Sequence, residues 1–154
     1  MLLASSAFAQ TEKGNWMIEL GTSPFGNDVV YSGLNFASSD GTTLLSIGAD
    51  GGYFIGDNSA IKIGFGFLNY EDDSFISYMA GFKHYLNAKI PIQVDLTGSS
   101  GYYSEPLYAG LQGGYALFLG EKVSFEPTLR YNASLNADYW ADVVELRFNF
   151  TLFL

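Results

Sequence analysis

The stretch VELRFNFTL at residues 144–152 alternates without interruption between apolar and polar side chains. A period of two is that of a β-strand, because successive side chains point to opposite sides of the backbone. One face of this strand is therefore apolar throughout, whereas the other carries Glu145 and Arg147. The fold depends on which of these two faces points into the protein.

The same alternation recurs along the chain and predicts eight strands, separated by turns rich in Gly, Asn, Asp and Ser. They cover residues 15–22, 43–55, 60–69, 75–86, 90–97, 107–119, 123–131 and 144–154. Residues 29–36 also have strand character. We interpret them as an extension above the membrane, because a ninth strand would put the chain termini at opposite ends of a barrel. Pro127 is expected to mark a bulge or an imperfect ladder in the seventh strand.

Eight such strands carry far more apolar surface than the narrow interior of a water-soluble barrel can hold. We therefore predict an all-β fold, an eight-stranded antiparallel up-and-down transmembrane β-barrel with a polar, charge-paired interior and an apolar exterior. No run approaches the roughly 18 consecutive apolar residues that a membrane-spanning helix needs, so such a chain would cross a bilayer with strands. A soluble lipocalin-like barrel is the alternative, and it would stay folded without detergent.

In this register every charged residue within a predicted strand falls on the inward face. The predicted lumen residues are Glu19, Asp50, Lys62, Lys83, Asp95, Glu126, Arg130, Glu145 and Arg147. We predict that they form an ion-pair network that plugs the lumen, since eight strands enclose an interior just wide enough for side chains to fill. A narrow polar path for ions or water is the second interpretation. Inward glycines such as Gly52 and Gly110 would either leave water-filled cavities or make room for the arginines and lysines.

Tyrosine and tryptophan gather near the ends of the predicted strands, as in the aromatic belts at membrane–water interfaces. The predicted interface aromatics are Trp16 and Tyr53 at one end, and Tyr70, Tyr78, Tyr108, Tyr131, Tyr139 and Trp140 at the other. The connections after the second, fourth and sixth strands are short, and those after the first, fifth and seventh are longer. Short periplasmic turns and longer outer loops are typical of outer-membrane barrels, so both termini are expected to be periplasmic.

Composition argues against several other classes of function. A formal net charge of −9 disfavours nucleic-acid binding, which needs a basic surface. The absence of cysteine excludes disulfides, thiolate metal sites and cysteine nucleophiles. His84 is the only histidine and is predicted near the inner rim, far from the serines of the outer loops, so no catalytic residue is assigned. The acidic residues 71–73 lack the spacing of an EF-hand, so neither a metal nor a cofactor is expected.

Residues 1–9 are interpreted as the remnant of a signal peptide. They are mostly apolar and end in Ala7-Phe8-Ala9, a small-x-small pattern of the kind that signal peptidases cut. The mature chain is then expected to begin at Gln10 and to form one barrel domain over residues 10–154.

Over residues 10–154 the chain resembles the small outer-membrane β-barrel family of OmpA and OmpX type, through its eight alternating strands and its final strand. That strand looks like the C-terminal signal read by the barrel-assembly machinery, and the matching residues are Phe148, Phe150, Leu152, Phe153 and Leu154. The resemblance implies a monomer in the outer membrane of Gram-negative bacteria, in contact with outer-membrane lipids and, during biogenesis, with the assembly machinery. It implies a structural or surface-interaction role. A narrow porin-like channel for ions or small solutes is the second candidate, and a barrel-embedded lipid-modifying enzyme is the third.

Overall fold

The structure, a computed structural model, describes residues 10–23, 33–39, 42–70, 73–101 and 105–154, with residues 34–39, 42–44, 70 and 73 described by their backbone alone. The predicted signal-peptide remnant at residues 1–9 lies outside the described residues. In the part of the chain that is described, no helix is long and apolar enough to cross a membrane.

Ten β-strands follow one another along the described chain. They are β1 (Trp16–Thr22), β2 (Gly33–Ser39), β3 (Thr42–Gly56), β4 (Ser59–Tyr70), β5 (Asp73–Leu86), β6 (Ile90–Ser100), β7 (Leu107–Gly114), β8 (Leu117–Phe118), β9 (Val123–Ser134) and β10 (Val143–Phe153). All pairings are antiparallel, and the order β1-β10-β9-β7-β6-β5-β4-β3-β2 is closed by the pairing of β1 with β3. Because β1 and β2 share one position in the wall, and β7 and β8 share another, the segments form an eight-stranded closed barrel. The predicted architecture is confirmed.

The first position in the wall is built from two strands that run in the same direction. β1 pairs with residues 50–53 of β3, and β2 pairs with residues 42–48 of the same strand. Gly33 begins β2 with a φ of +114°, and a Cβ atom there would lie 1.4 Å from the Gly21 carbonyl oxygen, so this junction requires glycine. The segment with predicted strand character, residues 29–36, is a strand of the wall over residues 33–36, and its first four residues lie outside the described part.

The predicted strand at residues 107–119 is interrupted after Gly114. The register does not change across the interruption, because β7 and β8 pair with β9 in the same alignment. Between them the Tyr115 N–H donates to the Pro127 carbonyl oxygen (3.2 Å), but proline has no N–H with which to return the bond. The outcome at Pro127 is therefore an imperfect ladder without a bulge.

The two faces of the wall differ in polarity as the sequence predicts. On β10, Val144 and Phe150 are 61% and 50% exposed, whereas Glu145 and Arg147 are each 2% exposed. The predicted apolar exterior and polar interior are thus confirmed. The exposed apolar residues of the outer wall include Ile18, Leu20, Leu45, Ile47, Ile61, Ile63, Phe65, Phe67, Ile76, Val94, Leu96, Leu111, Leu129, Val144 and Phe150.

We call the end of the barrel at which β1 begins and β10 ends the inner end, and the opposite one the outer end. An apolar cluster lies inside the inner end and consists of Met17, Phe54, Ala60, Tyr85, Ala116 and Phe153, with Phe118 packed against it. Residues 10–15 connect two turns at this end. The Gln10 side-chain amide donates to the Gly120 carbonyl (3.0 Å), and the Asn58 N–H donates to the Thr11 carbonyl (2.6 Å). The apolar cluster and the leading segment therefore both lie at the inner end of the barrel.

Candidate functional site: the polar lumen

The charged faces of the strands meet inside the barrel. The structure places all of the predicted lumen charges there, none more than 7% exposed: Glu19, Asp50, Lys62, Lys83, Asp95, Glu126, Arg130, Glu145 and Arg147. The side chains of Lys62, Lys83 and Arg130 are 0% exposed and thus fully buried. Their ion pairs confirm the predicted charge-paired interior.

Two lysines and three carboxylates form a chain of ion pairs nearer the inner end. Lys62 Nζ lies 2.8 Å from Glu19 Oε1 and 3.1 Å from Asp50 Oδ2. Lys83 Nζ contacts the other oxygen of Glu19 and also Glu126 Oε2, the latter at 2.6 Å. Since these residues belong to β1, β3, β4, β5 and β9, the cluster ties together strands that are distant in the sequence.

Arg130 is the centre of a second group. Its Nη1 and Nη2 donate to the two carboxylate oxygens of Asp95, at 2.7 and 2.6 Å, in the bidentate geometry that makes arginine–carboxylate pairs strong. Its Nε donates to Asn132 Oδ1 (2.7 Å) and lies 3.6 Å from Glu145 Oε1. Asn132 in turn donates to Glu145 at 2.6 Å. Every side chain of this group is held by at least one other member.

Neutral polar side chains join the two groups and complete the network. Lys62 Nζ donates to the side-chain oxygen Oε1 of Gln93 (2.9 Å), and the side-chain nitrogen Nε2 of Gln93 donates to Asp95 Oδ2 (2.7 Å). The neutral residues that participate are Tyr85, Gln93, Thr97, Ser124, Asn132 and Thr151. None of them was among the predicted lumen residues, although their inward position in the alternation was a signal that could have found them.

Gly110 shows what an inward glycine does in this lumen. A Cβ atom there would lie 2.2 Å from Arg130 Nη2 and 2.6 Å from Asp95 Oδ1, so even a methyl group would displace the ion pair. At Gly52 the corresponding space is taken by Met17, whose Cε lies 2.6 Å from the Cβ position. At these two positions the volume that glycine frees is filled by neighbouring side chains.

Most of the predicted interface aromatics lie on the outside of the wall. At the inner end Trp16 and Tyr53 pack together with ring centroids 4.9 Å apart. The outer-end residues Tyr78, Tyr131 and Tyr139 are exposed, and Trp140 is half-buried. The Tyr70 side chain lies outside the described part of the chain.

The prediction for Tyr108 is wrong. Its side chain is 2% exposed and points into the lumen. It takes this direction because β7 alternates, with Leu107 and Leu111 on the outer wall and Tyr108 on the opposite face. Position near the end of a strand does not override this alternation.

The residues of the predicted assembly signal do not share one face. Phe150 and Leu152 are on the outer wall, 50% and 38% exposed, and Phe148 is half-buried on the same face. Phe153 points inward and belongs to the apolar cluster, whereas Leu154 is 57% exposed. An outward set and an inward anchor are therefore interleaved at the end of the chain.

His84 contacts Ser59, a partner that was not predicted from the sequence. Its Nδ1 is 2.9 Å from Ser59 Oγ, across the pairing of β4 with β5 at the inner end. Within the described residues no carboxylate contacts the imidazole. A hydrolase triad needs such a carboxylate to orient its histidine. Residues 71 and 72 lie outside the described part, and among the described residues no group of three His, Cys, Asp or Glu side chains is placed to hold a metal ion.

No protein-family model matches the chain, and no curated protein matches it in sequence. A de novo designed transmembrane β-barrel aligns with a TM-score of 0.53 at 12% identity, over 93% of this chain and 98% of its own. The N-terminal β-barrel domain of OprF from Pseudomonas aeruginosa aligns with a TM-score of 0.52 at 13% identity, over 92% of this chain and 98% of its own. Neisserial surface protein A aligns with a TM-score of 0.48 at 12% identity, over 90% and 93%. The first two similarities concern the fold, which is that of the small eight-stranded barrels of the outer membrane.

Proposed function

We propose that the protein is an integral β-barrel of the bacterial outer membrane with a structural or surface-interaction role, and that the ion-pair network closes its lumen. One observation carries this proposal: charged side chains are buried inside the barrel, and apolar side chains are exposed around its outside. Soluble monomers rarely expose a large continuous apolar surface. In a bilayer the same surface contacts hydrocarbon, which supports membrane insertion.

The charge distribution in the wall supports the same conclusion. Among the strand residues whose side chains are described, no Asp, Glu, Lys or Arg faces outward. An outward Lys or Arg would cost about 2–4 kcal/mol near the middle of a bilayer. A protein that stays soluble without detergent would contradict the proposal.

The aromatic belts and the turns support an orientation with a periplasmic inner end. Trp16 and Tyr53 would sit in one interface, and Tyr78, Tyr131, Tyr139 and Trp140 in the other. Turns at the inner end are short, at residues 57–58 and 87–89, whereas the β9–β10 connection at the outer end spans residues 135–142. During biogenesis, the outward residues Phe148, Phe150 and Leu152 of the last strand would be read by the barrel-assembly machinery.

The charges outside the lumen support a role for the outer end in surface interactions. The β2–β3, β4–β5, β6–β7 and β9–β10 connections contain no Lys or Arg, and their acidic residues are Asp40, Glu71, Asp72, Glu105, Asp138 and Asp142. The lysines outside the lumen, Lys13, Lys89 and Lys122, lie instead near the inner end. We expect the outer end to favour cationic partners and to repel anionic ones.

Planar-bilayer recording tests the closed lumen. The purified protein, refolded in detergent and reconstituted, is expected to give no stepwise conductance, because Lys62, Lys83 and Arg130 are fully buried among their ion-pair partners in the lumen. Stepwise conductance by the wild-type protein would contradict the plug and would favour the narrow porin-like channel.

We further propose that the protein is not an enzyme. Incubation with outer-membrane lipids is expected to release or transfer no acyl chains, because the Ser59–His84 contact has no described carboxylate partner. Lipid turnover that is present in the wild type and lost in His84→Ala would favour the lipid-modifying enzyme instead.

A further inference from the structure

Two acidic residues of the lumen stand directly opposite each other on neighbouring strands. Glu19 of β1 and Asp50 of β3 are register partners, and both side chains point inward. They are 3% and 2% exposed, so solvent does not screen them from each other. Like charges at directly opposed positions of a sheet repel, and two carboxylates that share one site rarely both ionise.

The two carboxylates are compensated unequally. Glu19 accepts bonds from Lys62 (2.8 Å), from Thr151 (3.1 Å) and from Lys83. Asp50 contacts Lys62 through Oδ2 alone, at 3.1 Å, while its buried Oδ1 has no hydrogen-bond partner. A single ammonium group is therefore divided between the two acids, and Asp50 receives the smaller share.

The charges in the described lumen do not balance. The acidic residues are Glu19, Asp50, Asp95, Glu126 and Glu145, and the basic residues are Lys62, Lys83, Arg130 and Arg147. With every group ionised, the interior would carry one unbalanced negative charge inside a wall that faces hydrocarbon. Burial of an uncompensated charge is among the most unfavourable arrangements in a protein.

The excess charge is localised at Asp50, because the other carboxylates have their own donors. Arg130 holds Asp95 in a bidentate pair, and Glu126 accepts bonds from Lys83, Tyr85 and Ser124. Of the ionisable groups that face Asp50, Lys62 of β4 is already shared with Glu19 of β1. The positive charge of Arg147 of β10 acts on Asp50 as well, but it is already included in the balance.

We infer that Asp50 is a proton-binding site, and that in the folded barrel at neutral pH it is a neutral carboxylic acid beside an ionised Glu19. Protonation gives the lumen four acidic and four basic charges and removes the repulsion between the two opposed side chains. A metal cation is the less suitable ligand. Asp50 is almost fully buried, and the Lys62 ammonium already occupies its open side.

Infrared spectroscopy tests this directly on the wild-type protein. With the aspartate carboxyl carbons labelled with ¹³C, the folded protein in detergent at neutral pH should show the carbonyl stretch of a protonated carboxyl group. The band should disappear in Asp50→Asn and remain in the matched variant Asp57→Asn, which changes an exposed aspartate in an inner-end turn. A wild-type spectrum without the band, or a band that survives in Asp50→Asn, would overturn the assignment.

Unfolding by urea in detergent gives a second readout. Asp50→Asn should lower the unfolding equilibrium constant at neutral pH by about tenfold or more, because the wild type must take up a proton on folding above the ordinary aspartate pKa and the amide need not. Glu19→Gln should raise it by about a hundredfold or more, because it removes the carboxylate that both buried lysines contact. Equal destabilisation by the two variants would show that Asp50 is ionised.

The same unfolding experiment has a characteristic dependence on pH. A group that gains proton affinity on folding stabilises the folded state at low pH, and this stabilisation is lost as the pH rises. The wild type should therefore lose more stability than Asp50→Asn between neutral and alkaline pH, and lysine titration affects both alike. Replacement of sodium by choline should leave the wild type unchanged, whereas a sodium-dependent stability would identify a bound metal cation and refute the proton. None of these outcomes depends on whether the barrel conducts.

Discussion

Arg130→Met would break the most strongly bonded ion pair of the lumen while keeping an unbranched side chain at this position. The guanidinium group donates to Asp95 at 2.6 and 2.7 Å and to Asn132 at 2.7 Å, and its side chain is 0% exposed. Methionine offers none of these donors. Asp95 would then retain only its bonds from Gln93 and Thr97 inside the lumen.

The expected loss of stability follows from this geometry. Removal of one partner of a buried ion pair costs about 3–5 kcal/mol, because the other charge stays buried without compensation. Since each 1.4 kcal/mol or so is a factor of ten, the unfolding equilibrium constant should rise from about a hundredfold to a few thousandfold. A small domain is stable by about 5–15 kcal/mol in total, so the variant is expected to fold but to unfold at a clearly lower urea concentration.

Reversible urea unfolding in detergent, followed by the fluorescence of Trp16 and Trp140, measures the effect. Lys89→Met changes an exposed lysine of an inner-end turn and should stay within about 0.5 kcal/mol of the wild type. Addition of Asp95→Asn to the Arg130→Met variant should recover about 1 kcal/mol or more, because it removes the stranded charge. If Arg130→Met unfolds like Lys89→Met, or if Asp95→Asn gives no recovery, the ion pair does not stabilise the barrel as reasoned here.

Gly110→Ala should lower stability by about 1–3 kcal/mol, because its methyl group overlaps an ion pair, whereas Gly113→Ala, whose Cβ meets no atom within 4 Å, should be close to neutral in the same unfolding assay. Leu129→Lys on the outer wall should lower stability by about 2–4 kcal/mol and impair insertion into vesicles. The control Leu135→Lys, beyond the end of β9, should lower stability by at most about 1 kcal/mol. Equal effects of the two variants would contradict a hydrocarbon-facing wall. Hydrogen bonds from the Tyr131 hydroxyl and the Ser134 N–H lower the pKa of Asp142. They therefore stabilise the β9–β10 connection at pH values above the ordinary carboxyl pKa, and this stabilisation is lost as the pH falls through the lowered pKa. An NMR titration that finds the pKa of Asp142 at or above that of a free aspartate would disprove this.

The direction of each side chain could be predicted from the sequence, because alternation allows only two choices and charge selects between them. The inward direction of Glu145 and Arg147, for example, follows from their positions between apolar neighbours on the same strand. The pairing of charges could not be predicted in this way. Lys62 reaches Glu19 across 43 residues, and that contact depends on how far each strand is staggered against the next around the closed barrel.

The apolar cluster at the inner end shows where a simple reading of polarity fails. Phe54, Tyr85 and Phe153 occupy inward positions, yet they are apolar or aromatic and fully buried. The alternation places these side chains inside the barrel. The rule that inward side chains are polar does not predict that they form an apolar cluster there. Tyr108 shows the same effect, because it lies near a strand end, where an interface aromatic is expected, but at an inward position of the alternation.

The placement of Glu19 has a consequence for how the barrel is made. This residue lies on the first strand, but its donors lie on β4, β5 and β10, which are synthesised later. Until the sheet curls and its edges meet, Glu19 and Lys83 cannot neutralise each other. Membrane insertion of a partly assembled sheet would place these charges in hydrocarbon without their partners. Insertion and barrel closure are therefore expected to proceed together.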